Sequence, residues 1–309
     1  MSTDLRQCPE YQELLRRFGR VVVEELGEGQ VGYIMRMRLL PFVRMTVIQR
    51  VKDPFVLSKA DQISRRYRTI FAKIAPEVVV GSEGAALWEE KLKEHGYSRD
   101  KSSIVPTKTL IVDLVASEDD LLMQMKSKTR YNIRLSQRRG VTTEVVSGRA
   151  ITKNDKYLDE FHTVYQQNCQ RIGIRAAPRK WFRRLFQMFD ENLFVVYAYV
   201  ISGEPAAVAC YMVTADTVWY EMNGATEEGR HDFATNRVVW EGMLEGKKRG
   251  CRWLDFDGVY DERYDDEDWK GFTRFKVGFG GEEVTYLGSY VKWLPFLKGG
   301  RIRNLQMPG

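Results

Sequence analysis

Cysteine and histidine are scarce in this sequence, and long apolar runs are missing. Its 309 residues hold four cysteines, Cys8, Cys169, Cys210 and Cys251, with no CxxC pair. That pattern excludes a disulfide scaffold and a cysteine zinc site, and leaves free thiols in a reducing compartment. Three histidines, His95, His162 and His231, show no metal spacing and belong to no GxSxG-type triad, so metal hydrolysis and serine chemistry lack support. No metal site is expected. A phosphate-binding P-loop is absent too. The N-terminal MSTDLRQCPE has no apolar signal core, and the longest apolar run, 193–201, falls far short of the roughly 20 residues of a spanning helix. A soluble, cytoplasmic protein is expected.

What the chain does have is core material and unevenly placed charge. Hydrophobic residues make up 43% and aromatic residues 12%, enough for one large or two modest cores. The net charge of +6 is concentrated: KSKTRYNIRLSQRR (126–139) carries six cations and no anion, while DFDGVYDERYDDED (255–268) carries eight acids against Arg263. The acidic stretch reads as a solvated loop and is assigned no ligand.

The same order of elements occurs twice. A strand meander at 21–26, 31–39 and 45–51 is followed by a helix over 58–73, a strand at 77–80, a helix over 85–94 closed by Gly96, and a strand at 109–114. A second meander at 193–201, 206–213 and 217–222 precedes a helix over 234–249 and a strand at 252–256. Two α/β domains of one kind are expected. Between them, Ser117-Glu118-Asp119-Asp120 opens a helix with a capping box whose far end is crowded with cations. After Pro178, the stripe Trp181, Phe182, Leu185, Phe186 and Phe189 reads as helical core.

Two stretches point to chemistry. Lys126, Arg130, Arg134 and Arg138 recur every four residues, which places them on one helical stripe with Lys128, Tyr131 and Asn132 alongside. Such a face suits a phosphate backbone, and the alternative is a solvated surface. GFTRFKVGFGG (271–281) sets Phe272, Phe275 and Phe279 and three glycines around Lys276. It reads as a strand running into a tight loop, with the lysine either held near the rings or snorkelling to water. The loop GATEEGRHDF (224–233) has only two glycines and no run of small residues for a pyrophosphate, which counts against an acyl-CoA donor.

Taken together, TLIVDL with KSKTRYNIRLSQRRGV (109–114, 126–141), EGRHDFATNRVVWEGMLEGKKRGCRWLDFDGV (228–259) and WKGFTRFKVGFGGE (269–282) resemble the FemABX family, as does the opening QCPEYQELLRRFG (7–19). The resemblance implies an α/β (α+β) fold of two GNAT-like domains, each a mixed sheet flanked by helices. Residues 1–147 with about 285–309 would form the first, precursor-binding domain, and 148–284 the second, holding the FKVGFGG motif. It implies an aminoacyltransferase that moves an amino acid from aminoacyl-tRNA to the stem-peptide amine of a peptidoglycan precursor. The acceptor would be UDP-muramyl-pentapeptide or its lipid-linked form, the latter bringing the protein to the inner face of the membrane. The protein would act as a monomer without a cofactor. Two departures stand out: no heptad stretch supplies the family's helical arm, and Arg50-Val51-Lys52-Asp53-Pro54 replaces its Arg-Gly-Pro.

Residue roles follow from the same resemblance. Lys276 and Phe275 would act in the reaction itself, Lys276 by stabilising the oxyanion or the leaving ribose oxygen and Phe275 by fixing the tRNA end. Asp113, at a strand end beside the acceptor cleft, is a candidate base or else structural. Arg36, Arg38 and Arg230 would hold the precursor diphosphate, with an exposed strand face as the alternative for the first two. Lys126, Lys128, Arg130, Arg134 and Arg138 would bind tRNA. A GNAT N-acyltransferase using acyl-CoA and a non-catalytic nucleic-acid-binding protein are the competing functions.

Overall fold

The computed structural model describes residues 4–17, 21–36, 43–264 and 267–294. After a 3-10 turn (Leu5–Gln7) come α1 (Pro9–Arg17), β1 (Val21–Gly27), β2 (Gln30–Arg36), β3 (Arg44–Val51), α2 (Val56–Arg66), β4 (Phe71–Pro76), α3 (Glu83–Glu94) and β5 (Ser98–Arg99). There follow β6 (Lys108–Asp113), α4 (Glu118–Gln124), α5 (Ser127–Arg138), β7 (Thr142–Ser147), α6 (Gly148–Lys153), α7 (Asp155–Arg171) and α8 (Arg179–Phe189). The remainder is β8 (Leu193–Tyr199), β9 (Pro205–Thr214), β10 (Thr217–Ala225), α9 (Glu227–His231), α10 (Ala234–Lys248), β11 (Trp253–Asp255), α11 (Trp269–Lys276), β12 (Glu282–Thr285) and β13 (Tyr290–Trp293).

The described residues form two units, each around its own mixed sheet. In one, residues 15–107 and those from 286 on build the six-stranded order β1-β2-β3-β4-β13-β5. Ile34, Ile48, Leu57, Ile63, Ile74 and Trp88 fill its core. In the other, residues up to 14 and 108–285 build the seven-stranded order β12-β6-β11-β10-β9-β8-β7. β8 reads Leu-Phe-Val-Val-Tyr-Ala-Tyr and is buried on both faces, because helices cover each side of the sheet. Of the expected stripe on α8, Phe182, Leu185, Phe186 and Phe189 are core, no more than 1% exposed, while Trp181 in the first turn is half-buried.

Several expectations change. The domain boundary expected at 147/148 does not match the strand pairing: β6 pairs with β11 and β12, and β7 with β8, so 108–147 belongs to the second sheet. The helix expected over 58–73 ends at Arg66, where Arg68 takes a φ of 51° and turns the chain. Phe71–Pro76 is then a fully buried strand, and the strand expected at 77–80 reduces to an isolated bridge between Val79 and Tyr286. The helix expected to run on from Ser117 is two. Lys126 is extended (φ −59°, ψ 143°), and its N–H donates to Gly278 O at 2.9 Å instead of continuing α4.

Candidate active site

The stretch expected as a strand at Lys276 is a helix. Phe272, Phe275 and Phe279 lie three and four residues apart, the spacing of one helical face, and α11 carries them into a 3-10 turn at Val277–Phe279. The glycines stop the helix and allow close approach. Gly281 has φ +95°, and a Cβ there would sit 2.5 Å from Ile111 O; at Gly278 a Cβ would sit 2.4 Å from Thr129 Oγ1. This places α11 against α5 and β6.

Lys276 is buried, as its aromatic surroundings suggested. Its Nζ donates to Phe256 O and Gly258 O, each at 2.7 Å, and lies 5.0 Å from the Phe272 ring centre and 5.8 Å from that of Tyr220. Two of three ammonium protons are thereby used, leaving one for a ligand. Burial pushes its pKa down to about 8, opposed by the charges of Asp257, Asp255 and Glu221.

Beside it lies an acid pair that sequence reading missed. Glu221 is raised well above the usual carboxylate range by burial and by Asp257, with which it shares a hydrogen bond. Burial also pushes Asp257 up, yet the Arg6 guanidinium, whose Nη2 donates to Asp257 Oδ1 and Oδ2 at 2.6 and 2.7 Å, brings it below its ordinary value. Arg6 pairs with Asp4 as well. The N-terminal turn therefore supplies a cation to the unit that holds Lys276. The one local signal was a lone glutamate in the otherwise apolar strand 217–222.

These groups adjoin a cleft of about 670 Å³, lined among others by Tyr165, Glu221, Arg230, Phe272, Phe275 and Lys276. Strand geometry opens it. β10 runs parallel to β11 only from Thr217 to Trp219, and its ladder to β9 is irregular between Tyr220 and Asn223. A bulge of this kind frees and re-aims side chains.

Of the expected site residues, the cleft brings together Lys276, Phe275 and Arg230. The Arg230 Nη1 also donates to Ala225 O at 2.8 Å. Asp113 does not line the cleft. It ends β6 in the second sheet, accepts from Val115 N at 2.9 Å and lies 3.8 Å from Arg252, which is the geometry of a turn-capping carboxylate. Arg36 sits exposed at the end of β2 in the other unit. Arg38 lies outside the described residues. On α5 and its N-cap, Lys126, Lys128, Arg134 and Arg138 are exposed, and Arg138 lies over the Tyr131 ring at 5.8 Å. Arg130 departs from this stripe: its guanidinium donates to Leu122 O, Met123 O and Met125 O, closing the C-terminus of α4. Among the described residues, no group of three or more His, Cys, Asp or Glu could hold a metal, and no helix is long and apolar enough to cross a membrane. The acidic loop is partly structural, since Asp255 and Asp261 are buried and Arg263 binds Asp261 at 2.6 Å.

Comparison with known proteins adds to this geometry. A family model described as an acetyltransferase (GNAT) domain matches residues 127–271. The chain is 26% identical over 210 residues to UDP-N-acetylmuramoylpentapeptide-lysine N(6)-alanyltransferase of Weissella viridescens, covering 64% of this chain and 59% of the relative. It is 25% identical over 143 residues to lipid II:glycine glycyltransferase of Staphylococcus aureus (strain COL), covering 44% and 32% respectively. The matched part thus spans about three-fifths of the first relative's length and a third of the second's. In fold, the crystal structure of FemX superposes with a TM-score of 0.78 at 16% identity, covering 95% of this chain and 93% of that one. Two mixed sheets flanked by helices, a GNAT match over 127–271 and relatives named as peptidoglycan-precursor transferases all agree with the resemblance to the FemABX family.

Proposed function

We propose that the protein is an aminoacyltransferase that moves an amino acid from aminoacyl-tRNA to the stem-peptide amine of a peptidoglycan precursor. The observation that carries this reading is the buried Lys276 at a cleft that also holds Phe275 and Arg230. Attack of the amine on the aminoacyl ester needs a donor at the developing oxyanion, and the third proton of Lys276 supplies it. Ester to amide runs downhill, so positioning is the main requirement and no nucleotide hydrolysis is needed. Phe275 would pack against the tRNA end, and Lys126, Lys128, Arg134 and Arg138 would meet its phosphates. Arg230 would bind a phosphate at the cleft. Arg36 and Arg38 would contact the acceptor diphosphate, and a lipid-linked acceptor would bring the protein to the inner face of the membrane.

An acyl-CoA donor is the second reading, favoured by the GNAT match alone. The loop after β10 speaks against it. α9 begins with Glu227 and Glu228, which would repel a pyrophosphate, and Gly229 serves packing, since a Cβ there would lie 2.0 Å from Ala206 O. The test is to incubate the protein with UDP-muramyl-pentapeptide and either a total aminoacyl-tRNA pool or acetyl-CoA, and weigh the products. An aminoacyl mass gain abolished by RNase is expected. A gain that survives RNase, or an acetyl gain, would overturn the tRNA donor.

A further inference from the structure

We propose that the Glu221 carboxyl is the subsite for the α-ammonium of the donor's aminoacyl group, so that the cleft accepts a free-amine donor and rejects an N-acylated one. This rests on the aminoacyl-donor reading above and specifies what that site recognises.

Three observations carry it. Glu221 lines the cleft and shares a hydrogen bond with Asp257, yet its Oε1 is shut off from water and is left without a hydrogen-bond partner. A buried polar atom left so is costly, and a ligand that donates to it removes the cost. The surrounding charges are also unbalanced. Arg6 and Lys276 face four carboxyl groups, those of Asp4, Asp255, Asp257 and Glu221; the other titratable neighbours, Tyr11 and Cys210, are held neutral by burial. An arriving ammonium supplies the missing positive charge, whereas an acetylated amine supplies none and offers a single N–H.

The charge distribution along the cleft adds the third. Arg171 and Arg230 contribute cations for phosphate, Tyr165, Phe272 and Phe275 contribute rings for a base, and of the two carboxyls that line the cleft Asp268 is exposed and Glu221 is the one beside Lys276. Phosphate, ring and amine are the three chemistries of an aminoacylated nucleotide end. Burial raises the Glu221 pKa and a bound ammonium lowers it, so binding the amine favours the ionised carboxylate and releases protons.

The test uses no RNA. The full chain is titrated calorimetrically at pH 6.5 with 3′-alanylamino-3′-deoxyadenosine, whose amide does not turn over, and with its N-acetyl counterpart. The free amine should bind about tenfold or more tightly than the acetyl form. Glu221→Gln should bring the two within about twofold by weakening the amine alone. Titration in buffers of different ionisation enthalpy should show proton release with the amine and none with the acetyl form, a readout that holds even where Glu221→Gln fails to fold. Equal binding of both probes, binding of neither, a preference that survives Glu221→Gln, or no proton release would overturn the proposal. If the preference stands while RNA-dependent transfer fails, the tRNA carrier is wrong and the subsite is not. If transfer stands without the preference, the reverse holds.

Discussion

Replacing Lys276 by Met keeps most of its volume and removes its charge, so it separates chemistry from packing. Turnover should fall roughly 10²–10³-fold with acceptor affinity intact, measured by steady-state kinetics. Near-normal turnover would make the lysine structural. Lys276→Arg should rescue poorly, because a planar fork does not reproduce a point charge. The pH dependence has a definite sign. Burial holds the folded pKa at about 8, below the unfolded value of 10.5, so the folded state binds fewer protons between these limits. Stability from this group therefore rises with pH from about 8 to 10.5, by an amount on the order of 1–3 kcal/mol. The rise should be missing when urea unfolding of Lys276→Met is compared with wild type across that window. Turnover should move the other way, falling above about pH 8 as the ammonium is lost.

Among elements, the cationic face of α5 divides by role. Arg130 closes α4, so Arg130→Ala should cost about 1–3 kcal/mol in unfolding free energy by removing charge-assisted bonds to the part-buried carbonyl groups at its end. Arg134→Gln with Arg138→Gln should leave stability unchanged and lower the slope of tRNA affinity against salt by about two. An unaltered slope would mean that this face is only solvated. The turn after α11 allows a sharper test. Gly281→Ala meets both a left-handed backbone and a Cβ contact of 2.5 Å with Ile111 O, so a loss of roughly 2–4 kcal/mol in urea unfolding is expected. The helical character of 269–276 was legible in the spacing of Phe272, Phe275 and Phe279. The glycines drew the reading toward a strand, although they lie at the C-terminal end, where they stop a helix.

On the scale of the whole molecule, stretches far apart in sequence meet. Arg6 binds Asp257 across 251 residues, and Arg6→Met would leave Asp257 buried beside Glu221 without its cation. Removing one partner of a buried pair costs about 3–5 kcal/mol, which chemical unfolding should register. Lowered stability should be accompanied by a raised Asp257 pKa, seen as a shift in the pH dependence of unfolding toward higher pH.

Local pattern alone determined most of the strands and helices and the aromatic core of α8, while the choice between a buried and a snorkelling Lys276 waited for its carbonyl partners Phe256 and Gly258. Alternation, helical spacing and turn residues act over a few positions and can be read there. Only the tertiary structure decided that 108–147 joins the second sheet, that α4 and α5 separate at Lys126, that Asp113 caps a turn, and that Arg6, Glu221 and Asp257 meet beside the cleft. All but the Asp113 cap depend on partners far away in sequence: β11 and β12 for β6, Gly278 for Lys126, and the N-terminal turn for Asp257. A strand carries its face pattern in its own residues but not the identity of its neighbour, and a buried charge is tolerated only once a distant chain segment has brought its counterpart.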